Sequence, residues 1–304
     1  MMRFLPIIGL LIAGSANAQP PTQAALAGYD RLVFNDVGNI DLANTQQPGF
    51  SWYLANWFGA PPGDAVSVHV GPGVLTLGGS GTKATLQSAF ASGAGYVGSV
   101  FGGGGYFEID MAIGAPIGAN TRYPAFFLDA IEAITNTDQW PGQAAGYVHF
   151  VEIDVMEFYR TDVSSNTTNY LAGLHDWSGG ASTNGFPVSP LYNIQNSGNY
   201  FAIPSQPVNW QARHRYGMNW KLQLGNIPGS FSMYFDDVLM STTYYLGPVS
   251  NPPLSGQDTG IFTPSTPAQA TQTYAIADGH HYAMRIQTDQ VWPIAVYGVK
   301  VWQH

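Results

Sequence analysis

Residues 147–160 read YVHFVEIDVMEFYR and set three carboxylates, Glu152, Asp154 and Glu157, in an apolar, β-branched and aromatic run. Successive side chains of a strand alternate faces, so Glu152 and Asp154 share one side while Ile153 and Val155 take the other. Glu157 then has the wrong parity. One extra residue, a β-bulge at Val155–Met156, restores it and turns Glu157 onto the carboxylate face. Three carboxylates on one wall repel one another and raise at least one pKa, which costs stability unless the arrangement is used. Retaining glycoside hydrolysis uses it: the reaction needs an ionised nucleophile and a protonated acid about 5 to 5.5 Å apart. Asp154, between the two glutamates, can share a proton or hydrogen bond with Glu152.

Other chemistries lack their residues. The chain has no cysteine, so it has neither disulfides nor a thiolate metal site. Among seven histidines, His280 and His281 adjoin, but no H-E-x-x-H or Cys/His cluster occurs, and no catalytic metal or other cofactor is expected. Acidic loops could host a structural Ca²⁺, at no position that the sequence locates. Residues 102–105 (GGGG) are followed by a strand pattern and no Lys-Ser/Thr, which reads as a turn and not a phosphate loop. Gly-x-Ser-x-Gly is absent. A formal net charge of −9 opposes binding to nucleic acid or to an acidic membrane surface.

The elements that must position the carboxylates are strands. Charged residues make up 10% of the chain, against about 25% in typical domains, while aromatics reach 13% and glycines number 36. Period-2 or β-branched runs recur between Gly, Pro, Asn and Ser at residues 66–70, 73–77, 84–90, 105–113, 125–131, 147–159, 218–224, 230–240 and 294–303. No amphipathic helix longer than two turns is expected. The spacing predicts an all-β fold, a sandwich or barrel of antiparallel sheets.

Residues 1–18 have the form of a secretory leader: Arg3, the apolar run 6–14, then Ala16-Asn17-Ala18 before a cleavage expected after Ala18. The expected mature protein, residues 19–304, is one β domain, secreted or periplasmic, without membrane insertion and monomeric. Residues 246–272 read as a long surface loop, and 19–27 as a mobile start.

The pattern E-x-D-x-x-E, present as EIDVME at 152–157, resembles the active-site signature of glycoside hydrolase family 16, the β-jelly-roll enzymes that include laminarinases, agarases and carrageenases. The resemblance covers most of the mature chain. Residues 32–36 (LVFND), Ile40-Asp41 and Trp52 resemble the family's first strand and its following Asp and Trp; residues 73–77 and 104–113 are similar to its next strands. Residues 123–130 (YPAFFLDA) resemble a W-P-A-F-W-L-L element, and 214–220, 231–237 and 298–303 its closing strands. The resemblance implies a concanavalin A-like jelly roll of two antiparallel sheets. It also implies Glu152 as nucleophile, Asp154 as assisting residue and Glu157 as general acid/base, in the bulged branch of the family. Tyr123, Phe127, Asp129 and Val151 depart from the family pattern and leave subsite shape open.

Trp140, His175, Trp177, Trp52 and Trp57 are candidate sugar contacts, since aromatic faces stack on pyranose rings and indole N–H or imidazole reaches hydroxyls. Each tryptophan could equally be core, whereas His175 resembles a His that the family carries on the strand facing the catalytic one. The implied activity is retaining endo-hydrolysis of a polysaccharide, with 1,3- or mixed-linkage β-glucans ranked first. The same site could transglycosylate, and the alternative of another class is a jelly-roll carbohydrate-binding protein without turnover.

Overall fold

Alternating strands bury one face each, and two sheets of them must therefore meet on their apolar sides. The computed structural model describes residues 19–54, 67–78, 84–92, 95–114, 124–134, 147–158, 169–180, 194–195, 200–202, 208–245, 276–288 and 292–304. In chain order these begin with α1 (Thr22–Ala27), β1 (Arg31–Asn35), β2 (Ile40–Asp41), β3 (Trp52–Leu54), β4 (Val68–Gly71), β5 (Val74–Leu77), β6 (Ala84–Gln87), β7 (Ala89–Ser92), β8 (Gly95–Gly98) and β9 (Gly105–Ile113). There follow β10 (Ala125–Ala130), α2 (Ile131–Ile134), β11 (Tyr147–Glu157), β12 (Asn169–Gly180), β13 (Ile194–Gln195) and β14 (Tyr200–Ala202). Last come β15 (His214–Lys221), β16 (Gly229–Phe235), β17 (Val238–Tyr245), α3 (Ile276–Gly279), β18 (Tyr282–Thr288) and β19 (Ile294–Gln303). The proposed leader lies outside the described residues, as do residues 246–275.

Among the described residues, one sheet has the order β17-β16-β15-β9-β19-β5-β4, with β1 also on β19. The other has the order β13-β12-β11-β10-β18-β6-β3-β2, with β14 on β12, and β7 and β8 form a separate hairpin. The one parallel pairing described is β2 with β3. Phe107, Ile109, Met218 and Trp220 of the first sheet merge with Leu86, Phe126, Ile153 and Met284 of the second in a single buried cluster. Each such side chain contributes roughly 1.5–3 kcal/mol by leaving water. This is the all-β jelly-roll sandwich that the strand spacing and the resemblance led one to expect. No helix among the described residues is long and apolar enough to cross a membrane.

Several boundaries differ from the sequence reading. The run 230–240 is two strands joined by a turn in which Asp236 and Asp237 take φ of 46° and 68°. These left-handed values suit a tight hairpin, and Asp is among the few non-glycine residues that tolerate them. The run 84–90 breaks at Ser88, whose N–H donates to Met284 O and whose hydroxyl accepts from Met284 N, both at 2.9 Å. The chain thereby leaves β18 and enters the β7–β8 hairpin. Gly98 closes that hairpin at φ 100°, where a Cβ would stand 2.3 Å from Ser88 O. Residues 218–224 belong to a strand that starts earlier, at His214. Strands β12 and β18 were not among the expected runs.

Trp52 is a correction to the candidate sugar contacts. Its indole is 0% exposed within the inter-sheet cluster, edge-on to Phe34, and its Nε1–H donates to Asp36 O at 3.1 Å. The neighbouring Asp41 carboxylate, also buried, accepts from the N–H groups of Thr45 and Gln46 at 2.9 and 2.6 Å and so pins the loop that follows β2.

Candidate active site

β11 is central in its sheet, between β10 and β12, and its sequence sorts by face. Val151, Ile153, Val155, Met156 and Phe158 all enter the inter-sheet core. Glu152, Asp154 and Glu157 therefore lie on the outer face; Glu152 and Asp154 are 6% and 5% exposed, and Glu157 is half-buried. Two consecutive inward residues require a bulge, and both registers contain it. Against β12, Asp154 pairs with Gly173 and Glu157 with Leu171, so Val155 and Met156 together face one residue. Against β10, Phe127 pairs with Asp154 and Phe126 with Met156, which leaves Val155 in excess. The physical cause is that a charged side chain inside the core would cost far more than one broken ladder position.

Three rows of residues cross the outer face. The first holds Thr85, Gln287, Ala125 and Glu157. The second holds Tyr53, Gln87, Arg285, Phe127, Asp154 and Gly173. In the third, Asp129 pairs with Ala283, and Glu152 pairs with His175 and through it with Gln195. The first row is the open one, since Gln287 and Glu157 are only partly covered, whereas Arg285 and Asp129 are enclosed. At the closed end Ala89, Ile131 and Ala283 pack together with Val100, placing α2 and the β7–β8 hairpin over the sheet. Small Ala125 separates Gln287 from Glu157, so the floor between them is low.

Sequence reasoning missed Arg285 here and noted Asp129 only as a departure from the family pattern. Arg285 and Asp129 form an ion pair with Nε to Oδ2 at 2.8 Å, and the Arg285 guanidinium carbon lies 5.9 Å from the Phe127 ring centroid. The clean alternation of residues 282–288 (YAMRIQT) was the available signal for the strand that carries Arg285.

Of the other expected sugar contacts, His175 is the backbone partner of Glu152 and Trp177 that of Phe150 in the β11–β12 ladder, while their side chains lie outside the described residues. Trp57 and Trp140 lie outside them altogether. Among the described residues no group of three or more His, Asp and Glu could hold a metal ion, so the Ca²⁺ suggested for the acidic loops has no located site.

No protein-family model matches the sequence, and a search among curated proteins finds no match. Solved structures do share the fold. β-Agarase A in complex with oligoagarose is similar at 14% identity, with 83% of this chain and 82% of that one covered and a TM-score of 0.50. The κ-carrageenase from Pseudoalteromonas carrageenovora, in complex with an oligotetrasaccharide of κ-carrageenan, is 13% identical over 82% of this chain and 87% of its own, with a TM-score of 0.44. The carbohydrate recognition domain of Emp46p is 13% identical over 83% and 87%, with a TM-score of 0.40. The first likeness bears on the fold alone and agrees with two antiparallel sheets packed as a jelly roll.

Proposed function

We propose that this chain is an exported, retaining endo-glycosidase of glycoside hydrolase family 16, with residues 19–304 as one catalytic domain. The observation that carries the reading is the bulge in β11, which leaves three carboxylates on the outer face while five neighbouring side chains enter the core. Glu157, at the open end, donates its proton to the glycosidic oxygen as the Glu152 carboxylate attacks the anomeric carbon. The carbon–oxygen bond to the leaving sugar breaks and an ester to Glu152 forms. Glu157, now a carboxylate, takes a proton from water as that water attacks the same carbon and frees Glu152, so configuration is retained. Asp154, between them on the same face, can share a proton or hydrogen bond with Glu152 in this reading.

A neutral polysaccharide suits the chain, because 10 Lys and Arg in all leave few partners for sulfate. A 1,3- or mixed-linkage β-glucan is proposed first; the oligoagarose and κ-carrageenan complexes of the similar structures make galactans the comparison. The test is a reducing-end assay on laminarin, lichenan, agarose and κ-carrageenan, with product configuration followed by proton NMR. New reducing ends with retained configuration, lost by about 10³-fold or more in Glu152→Ala, are expected. Affinity without new reducing ends would make the chain a carbohydrate-binding protein, and longer products a transglycosylase. Inverted configuration would sink the mechanism.

A further inference from the structure

The outer face carries a fourth carboxylate that the reaction does not use. Asp129 is flanked by Leu128 and Ala130, which enter the core, just as Val151 and Ile153 do on either side of Glu152. Asp129 and Glu152 thus point to the same side of the same sheet. The β10–β11 register pairs Phe127 with Asp154 and Leu128 with Ile153. Carried one residue on, it sets Asp129 beside Glu152, where cross-strand Cβ atoms stand about 4.5–5.5 Å apart. Arg285 approaches from the far side of β10 and ion-pairs with Asp129 at 2.8 Å; the two side chains are 2% and 0% exposed.

Such a pair contributes little to stability, because a well-packed apolar pair of similar volume does as well or better. Its effect on Glu152 is larger. An Asp129 carboxylate without a counter-charge would add an anion at the shoulder of Glu152, on a face that already holds Asp154 and Glu157. Like charges this close drive one of the group to keep a proton.

We infer that Arg285 is a positioning residue for the reaction: by neutralising Asp129 it keeps Glu152 ionised while Glu157 holds its proton. The inference rests on the proposed role of Glu152. Among the described residues, the short helices in contact with β11 also carry Glu132 of α2, which accepts from the His281 N–H and pairs with its Nδ1, and Asp278 of α3, which accepts from the Tyr245 hydroxyl and Gln223 N–H. His175 is the ladder partner of Glu152. All of these stay in place in the variants below, so their contributions cancel in the comparison.

The test is a carbon-13 carboxyl titration of Glu152, assigned by its loss in Glu152→Gln, together with a pH–rate profile of kcat/KM. In Arg285→Met, Asp129 and Glu152 become a coupled pair, and part of the Glu152 titration should move up by about one pH unit or more. The acidic limb of kcat/KM should move with it, while KM changes little. Arg285→Lys should hold most of the wild-type profile. The double variant Asp129→Leu/Arg285→Met, which removes the anion along with the cation, should return both readouts to near wild type. If Arg285→Met does not fold, Asp129→Asn decides, because it leaves the cation without its counter-charge and should move the Glu152 titration down. A single unmoved Glu152 step in a folded variant overturns the inference, and so does an equal displacement in the double variant. A wild type without turnover sinks the glycosidase reading, whereas an unmoved titration sinks only the role of Arg285.

Discussion

Deleting Val155 probes how β11 is built. Val155 and Met156 together face one residue of β12, and Val155 alone is in excess against β10. With Val155 gone, Met156 stays inward, Glu157 stays outward, and both ladders run through without a shift. The loss is one side chain that is 1% exposed, worth roughly 1.5–3 kcal/mol of burial. In a domain of this size each kcal/mol moves Tm by about 2–4 °C, so the variant should melt about 3–12 °C below wild type and still do so cooperatively. Deleting Ile153 has the opposite consequence. It drives Asp154 toward the core between Val151 and Met156, where an unpaired carboxylate costs several kcal/mol at least, and that chain should not fold. Thermal melts followed by circular dichroism compare the two. Turnover by the Val155 deletion should fall by no more than about 100-fold, the cost of a displacement near 1 Å. A Val155 deletion no better folded than the Ile153 deletion would refute the claim that the bulge is a one-residue excess.

Three further outcomes are expected. Glu157→Ala should still form a glycosyl-enzyme from an activated aryl glycoside, and azide should restore its turnover with retained configuration; Glu152→Ala with azide should give at best inverted product, and near-normal polysaccharide cleavage by Glu152→Ala would rule out its role as nucleophile. On the other sheet, burial raises the pKa of Glu108 against the opposing pull of Arg215 and Lys300. A carboxyl raised in the fold stabilises while protonated and loses that contribution as pH climbs through its folded pKa. Glu108→Gln should therefore gain in Tm over wild type toward neutral pH and show a smaller gain in acid, and a difference constant with pH would contradict this. Trp52→Ala should cost about 3–5 kcal/mol in denaturant melts, as a core indole does, while the Kd for glucan oligosaccharides in a Glu152→Gln background stays unchanged; weakened binding would return Trp52 to the sugar site.

What the sequence made legible was what local alternation could decide. Residues 105–113 and 294–303 were read as strands with the observed bounds, because each buries one face against the other sheet. The bulge was legible for a stronger reason. Charge in a core is so costly that the parity of Glu152, Asp154 and Glu157 demanded an extra residue before any partner strand was known. Alternation fails where it runs through a turn: residues 230–240 keep their pattern across Asp236 and Asp237, and no glycine marks the reversal. In β18 alternation marks the strand but misleads on burial, because Arg285 sits on a face that is covered and the half-buried pattern contains a charge that looks exposed. Asp129 gave the same false signal in β10. Each residue alone argues against burial, and only the adjacency of β10 and β18 makes the two compatible. That adjacency is a property of strand order, set by contacts far apart in the chain. The carboxylates proposed to do the chemistry are thus readable from one strand, while the Arg285–Asp129 pair beside them becomes visible only when three strands are laid side by side.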